Sequence, residues 1–388
     1  MPVKNRIADL HPEITAWRRD FHQHPELNFD VHRTAARVAE LLREFGVDEV
    51  TEGIGQTGVV GVIRGRTNGS GRTIGLRADM DALAMSEITG APYASKNPGA
   101  MHACGHDGHT AMLLGAAKYL AETRNFDGTA VVIFQPAEEG GGGGLKMLED
   151  GLAERWGIDE FYGMHNMPGV PTGTFAIRPG PMMAAADAFS ITLTGRGGHA
   201  AAPQNAVDTM LVAAHVIVAL QSVVARNVDP LLSGVISATV VESDSAAHNV
   251  IPQVVRIHGT ARSLDAGVRD QLEEGVIRIA RGIAQSFGAV AEVDYDRGYP
   301  VTVNDAEATR HAIEAAQAIS PEVQTEVTPM MAAEDFSYML EARPGAYIWV
   351  GNGDTAMVHH PAYDFDDDAI PAGSSWYAEI VERRLPAA

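Results

Sequence analysis

The chain of 388 residues is long enough for two or three domains at ~150 residues each, and too long for a small disulfide-stapled module. Its 29 Lys and Arg against 50 Asp and Glu leave a formal charge of −21, a field that repels phosphate backbones and anionic bilayers, so neither nucleic acid nor a membrane is expected as a partner. The composition, 45% hydrophobic and 20% charged, is globular, and a single cysteine, Cys104, excludes an internal disulfide.

No apolar run approaches the ~20 residues of a membrane-spanning helix. The opening Met1-Pro-Val-Lys-Asn-Arg precedes no apolar core of roughly 7 to 15 residues, so no secretory signal is expected and a cytoplasmic location follows as the expectation. Residues 7–23 and 31–45 carry apolar positions at helical spacing (Val31, Ala35, Val38, Leu41, Leu42, Phe45), with Gly46 as a C-cap. Short apolar runs at 59–63, 73–76, 130–134 and 161–164, separated by helices or loops, predict buried strands of a mostly parallel sheet.

From about Asp187 the texture changes. Phe189, Ile191 and Leu193 alternate with Ser190, Thr192 and Thr194, a period of two that predicts a strand with one wet face. A helix over 205–226, strands at 234–241 and 254–261, a helix over 267–287 and a strand at 289–295 complete the order β-α-β-β-α-β of a ferredoxin-like unit. After Pro300 the α/β texture returns, with a helix near 306–319, a strand at 346–350 and a C-terminal helix from about Ile370. The expected fold class is therefore α/β with two domains. Residues 1–183 and 297–388 form one split domain, and 184–296 form the insert.

Metal-capable residues fall where the predicted strands end, the usual place for sites in open α/β sheets. The strand at 130–134 runs into Glu138-Glu139, adjacent carboxylates expected to point to different sides, and then into the glycines Gly140 to Gly144. Met147 after Lys146 breaks a phosphate-loop motif. The densest cluster is His102-Ala-Cys104-Gly-His106-Asp107-Gly-His109 before a helix. Thiolate and imidazole suit zinc or another first-row metal, and Asp107 is a candidate partner for a histidine. His165 and the pair His359-His360 end other strands. His-Glu-x-x-His, Gly-x-Ser-x-Gly and Cys-x-x-Cys are absent.

Nine segments in chain order, among them Leu76-Arg-Ala-Asp79-Met-Asp81, Met101-His-Ala-Cys-Gly-His-Asp-Gly-His109, Phe134-Gln-Pro-Ala-Glu-Glu-Gly140, Gly195-Arg-Gly-Gly-His199-Ala, Asn249-Val-Ile-Pro252, Gly259-Thr-Ala-Arg262 and His359-His-Pro361, resemble the M20 metallopeptidase family. The match is to its amidohydrolase branch of hippurate hydrolases, N-acyl-amino-acid deacylases and auxin-conjugate hydrolases. The resemblance implies a metal-dependent amidohydrolase of N-acyl or N-aroyl amino acids. Two divalent metal ions (Mn, Zn, Co or Ni) would be held by Cys104, His106, Glu139, His165 and His359, with Glu138 as general base and acid and Asp79 as support on the metal side. It also implies that His199 reaches the scissile carbonyl, that Asn249 and Arg262 grip the substrate, and that the insert is a lid through which a homodimer, or a tetramer, forms. Arg77 stands where the peptidase branches carry a metal-binding histidine. Ala84, Gln204 and Thr209 depart from the family pattern without touching a proposed ligand. A dipeptidase or aminopeptidase of the same family and a non-catalytic metal-binding protein are the competing readings.

Overall fold

Runs of β-branched and aromatic residues such as Val59-Val60-Gly61-Val62-Ile63 and Val131-Val132-Ile133-Phe134 favour pleated backbone and are buried along their length. The computed structural model describes residues 3–387. Its first part comprises α1 (Asn5–Gln23), α2 (His32–Glu44), β1 (Glu49–Ile54), β2 (Gly58–Arg64), β3 (Thr73–Asp79), α3 (His106–Thr123), β4 (Thr129–Gln135), α4 (Gly143–Glu149), α5 (Leu152–Arg155), β5 (Glu160–Met167), β6 (Phe175–Ala176) and β7 (Gly180–Met183). Then follow β8 (Ala185–Thr194), β9 (Gly198–His199), α6 (Thr209–Asn227), β10 (Gly234–Ser243), β11 (Val250–Ile251), β12 (Val254–Ser263), α7 (Ala266–Ser286) and β13 (Val290–Arg297). The chain ends with β14 (Thr302–Asn304), α8 (Ala306–Ile319), β15 (Val323–Gln324), α9 (Ser337–Ala342), β16 (Gly345–Gly351) and α10 (Ile370–Arg384).

Two compact units result. One holds the chain up to Met182, Val303–Thr328 and Asp335 onward; the other holds Met183–Thr302 and Pro329–Glu334. The first unit is built on a sheet of order β1-β2-β4-β3-β5-β16-β6-β15. Only the central four strands, β4-β3-β5-β16, run parallel throughout; β1, β2 and β4 pair antiparallel, as do β16 and β6. The expected mostly parallel sheet is therefore a mixed one, because β1 and β2 are joined by a tight turn at Gly55 to Thr57, which only antiparallel neighbours allow. From β3 the chain crosses to β4 on one side and then returns to β5 on the other. This order puts a switch point at the C-terminal ends of the central strands, where ligands bind in such sheets.

The second unit has four antiparallel strands in the order β10-β12-β8-β13, the ferredoxin-like arrangement that the sequence pattern predicts. Its core is formed by Ile191, Leu193, Val255 and Ile257 from the sheet and by Val212, Val216, Leu220, Leu272 and Val276 from α6 and α7. Helix α6 corrects one reading of the sequence: its 19 residues, with mean hydropathy 1.6 over the most apolar stretch, are long and apolar enough to cross a membrane. Here one face of the helix is buried in the unit's core, while Met210, Leu211 and Val218 on the rest of its surface are exposed.

Candidate metal centre

Five side chains expected as ligands come together in the first unit. Ligand atoms of Cys104, His106 and His165 lie within 4.8 Å of one another, as do those of Cys104, Glu139 and His359 and those of His106, Glu138 and Glu139. They arrive from the turn before α3, the turn after β4, the end of β5 and the loop after β16.

Local backbone chemistry shapes each approach. Gly105 caps α3 at φ +88°, and a Cβ there would stand 2.3 Å from Asn166 Nδ2 and 2.5 Å from Tyr363 Oη, so the glycine between Cys104 and His106 is demanded by both conformation and space. Ala137 (φ +53°) and His359 (φ +65°) hold left-handed conformations unusual for residues with a Cβ, immediately before Glu138 and at a candidate ligand. The His359 backbone N donates to Ala103 O at 2.7 Å, which ties the two ligand loops together.

Glu138 and Glu139 do not alternate as strand residues would. Strand β4 ends at Gln135, and the two glutamates lie on a turn fixed by Asp81, whose Oδ1 accepts from Glu138 N (2.9 Å) and whose Oδ2 accepts from Glu139 N (3.1 Å). Both carboxylates reach the His106 neighbourhood, and beyond it each has its own neighbours, Cys104 and His359 for Glu139 and Asp335 for Glu138. The glycine run serves packing. A Cβ on Gly143 would lie 1.7 Å from Pro136 O, where α4 folds back against the end of β4.

The donor set fits a metal. His106 Nδ1 bonds Asp81 O at 2.8 Å, which leaves Nε2 buried without a hydrogen-bond partner, 3.9 Å from Glu139 Oε1, an atom equally buried and unpartnered. His165 Nδ1 bonds Asn166 O at 2.6 Å and turns Nε2 to within 3.3 Å of Cys104 Sγ. Glu139 Oε1 stands 3.4 Å from His359 Nε2. Burial and the neighbouring Glu139 push the Cys104 thiol well up, while burial and His109 hold His165 well below the usual imidazole range. A neutral imidazole is the ligating form, and a thiolate in this setting calls for a cation.

Asp79, at the end of β3, is buried beside the candidate ligands. Its Oδ1 accepts a hydrogen bond from His109 Nδ1 at 2.6 Å, and its Oδ2 pairs with Arg77 Nη1 at 2.7 Å. Burial would raise this carboxyl, but His106, Arg77 and His109 hold it well below the ordinary carboxylate range. His109 Nε2 in turn accepts from Asn166 N at 2.9 Å, so both its nitrogens are engaged within the protein. Arg77 is likewise engaged, with Nη2 on Asp335 Oδ1 (2.9 Å) and Nε on Gln135 Oε1 (2.9 Å). Asp107 has a histidine partner, but it is His22 of α1 rather than a member of the cluster. Asp81, His109, Asn166, Tyr363 and Asp335 escaped the sequence reading as site residues. Asp81 and His109 lay inside the quoted motifs, whereas nothing local marks Tyr363.

His199, Asn249 and Arg262 belong to the second unit. His199, exposed on β9, pairs with Val250 of β11, and Ala200 N donates to Asn249 O at 3.0 Å, so His199 and Asn249 are neighbours. Arg262 lies near the far end of β12, where it bonds Ala261 O (2.9 Å) and Thr260 Oγ1, with no carboxylate partner among the described residues. About 26 Å of extended strand separates it from Val254, where β12 starts close to β11.

A two-unit α/β chain whose sheet's C-terminal edge gathers thiolate, imidazole and carboxylate defines a metallohydrolase class. The family model described as Peptidase family M20/M25/M40 matches residues 75–383. The chain is 44% identical to the hippurate hydrolase of Campylobacter jejuni over 98% of each chain and 39% identical to the N-acetylcysteine deacetylase of Bacillus subtilis over 96% of each. Among solved structures, a dinuclear metal binding peptidase from the M20 family of Bacillus subtilis superposes with a TM-score of 0.85 at 35% identity, covering 98% of this chain and all of that one. The chain belongs to the M20 family, in its amidohydrolase branch, and is a metal-dependent amide hydrolase.

Proposed function

We propose that this protein hydrolyses the amide bond of N-acyl or N-aroyl amino acids, giving a carboxylic acid and a free amino acid. The observation that carries this reading is the group of Glu138, Glu139 and His106, which sets a carboxylate with its own backbone anchor beside two candidate ligands. Cys104, His106, Glu139, His165 and His359 would hold two divalent cations, manganese, zinc, cobalt or nickel, which supply Lewis acidity toward the amide carbonyl and toward water.

Glu138 takes a proton from the attacking water and passes it to the nitrogen of the leaving amine as the C–N bond breaks. Asp79 and Asn166 fix His109 between them, which keeps the wall behind the ligands rigid. His199 Nδ1 accepts from Ala201 N at 3.0 Å, leaving Nε2–H as a donor on an exposed residue, suited to the oxygen that gains charge in the transition state. One such donor contributes ~3 to 4 kcal/mol in other hydrolases. Arg262 offers a two-pronged donor for the substrate carboxylate, and Asn249 contributes beside His199. Because a long strand parts Arg262 from the His199–Asn249 pair, one small substrate is best served by Arg262 of one chain and by His199 and Asn249 of a second copy. The exposed apolar side chains of α6 and the open edge of β10 suit that association.

The relatives named above, a hippurate hydrolase and an N-acetylcysteine deacetylase, support this substrate class. The test is to strip the protein with chelator, reload it separately with Mn²⁺, Co²⁺ and Zn²⁺, and compare hippurate, N-acetyl amino acids and dipeptides. Faster turnover of the acyl amino acids is expected; preference for dipeptides would make it a dipeptidase, and inertness toward all of them would remove the proposal.

A further inference from the structure

Behind the ligand loop lies a second cluster of charged groups that the mechanism above does not use. Asp107 follows His106 on the first turn of α3, and adjacent helical residues diverge by about 100°, so a ligand facing the centre sends its neighbour elsewhere. Asp107 Oδ2 accepts from His22 Nδ1 at 2.8 Å and lies 3.5 Å from Arg18 Nη1. His22, Arg18 and Asp107 are all buried, with 0%, 0% and 1% of their surfaces exposed.

Arg18 and His22 are themselves held from several directions. Arg18 Nε donates to Asp367 Oδ1 (2.7 Å) and Nη2 to Phe365 O (3.2 Å), and the guanidinium lies over the Tyr93 ring at 4.5 Å. His22 Nε2 is 3.4 Å from Glu87 Oε1, and Tyr93 Oη donates to Asp364 Oδ2 at 2.7 Å. One bracket thus joins α1, the loop around Glu87 and Tyr93, the start of α3 and the segment from Asp364 to Asp367 that follows the His359 loop.

Net stability is a weak reason for such a bracket, since burying several charges costs about as much as their mutual attraction returns, and apolar replacements are often neutral or better. Buried polar atoms of Arg18, His22, His102, Asp107 and Asp364 also lack protein hydrogen-bond partners, an interior that ordered water usually completes. What the bracket does fix is the orientation of the helix turn that carries His106.

We propose that Arg18 and His22 are positioning residues of the metal centre and act through Asp107. This rests on the metal-centre reading of Cys104, His106, Glu139, His165 and His359. Groups that orient ligands from outside the coordination sphere change metal affinity by about 10- to 100-fold when they are lost. The link here is one step longer, through the backbone of α3, and the lower end of that range is expected.

The experiment titrates Co²⁺ into the full-length protein against a chromophoric chelator and records the thiolate-to-cobalt absorption of the same samples. His22→Leu is expected to bind Co²⁺ about tenfold more weakly, with an altered band. His22→Asn keeps a nitrogen near the Nδ1 position and should recover most of both. Asp107→Asn should resemble His22→Leu, and it decides the question alone if His22→Leu does not fold. Asp187→Asn, which breaks the buried pair with Arg269 in the other unit, should lower the melting temperature with affinity within twofold of the parent. Parent-like affinity and spectrum in His22→Leu and Asp107→Asn would overturn the positioning role. Failure of the unaltered protein to bind Co²⁺ would instead overturn the metal-centre reading beneath it.

Discussion

Asp81 holds the backbone of Glu138. The two residues are 57 positions apart, and the 2.9 Å bond from Glu138 N to Asp81 Oδ1, with its companion from Glu139 N, fixes the turn on which both the candidate base and a candidate ligand stand. In Asp81→Asn one oxygen becomes an NH₂ that faces a backbone donor. A fall of about 10- to 100-fold in kcat is expected from displaced ligands. Steady-state kinetics on metal-loaded protein check this, and a variant with unchanged kcat would show that the turn holds without the carboxylate.

Glu138→Gln keeps the shape of the side chain and removes the proton acceptor. Loss of ~10²- to 10⁴-fold in kcat is expected, with metal content retained. Metal analysis alongside turnover separates a lost base from a lost ion.

Gly105→Ala tests the demand for a bare α-carbon. The added methyl meets Asn166 and Tyr363 at distances that no relaxed contact allows, in a backbone conformation that disfavours a Cβ. Destabilisation of about 2 kcal/mol or more is expected, in line with strain and overpacking together. A melting temperature within a degree of the parent would refute the geometry of this turn.

His22 sets a pH window. Burial alone would lower its pKa, but Asp107 and Glu87 outweigh burial and the opposing Arg18 and raise it to about 9. The folded value lies above the unfolded value of ~6.5, so the stabilisation is complete below pH 6.5 and is lost as pH rises through 9. The melting-temperature gap between the parent and His22→Asn should be widest near pH 6 and shrink toward pH 9.5. A gap constant across that range would place the proton elsewhere.

Mixing tests the proposed sharing of a site between two copies of the chain. In such a dimer His199→Ala and Glu138→Gln should each be nearly inactive, but random reassortment would make half of the dimers mixed, each with one intact site, so roughly a quarter of parental activity should return. Mixtures no better than the separate variants, with reassortment verified, would put His199 and Glu138 to work within one chain.

The sequence by itself determined the elements and the donors. Apolar periodicity is local, so α2, β2, β4, α7 and β16 were legible from spacing, and the Cys104 to His109 cluster was legible because its donor side chains crowd into one turn. The C-terminal end of β4 pointed to Glu138 and Glu139 for the same reason. Tertiary structure decided the rest. Periodicity does not specify which strand lies beside which, and the mixed sheet came from the antiparallel pairing of β1 with β2, of β2 with β4 and of β16 with β6.

Nor does any local signal join His22 to Asp107 across 85 positions or Arg77 to Asp335 across 258. These bonds form only where packing excludes water, and there an unpaired charge is too costly to leave. The same exclusion left His106 Nε2 and Glu139 Oε1 buried without a hydrogen-bond partner among the described residues, 3.9 Å apart. Composition named the atoms that could bind a metal; the fold alone brought them within reach of one another.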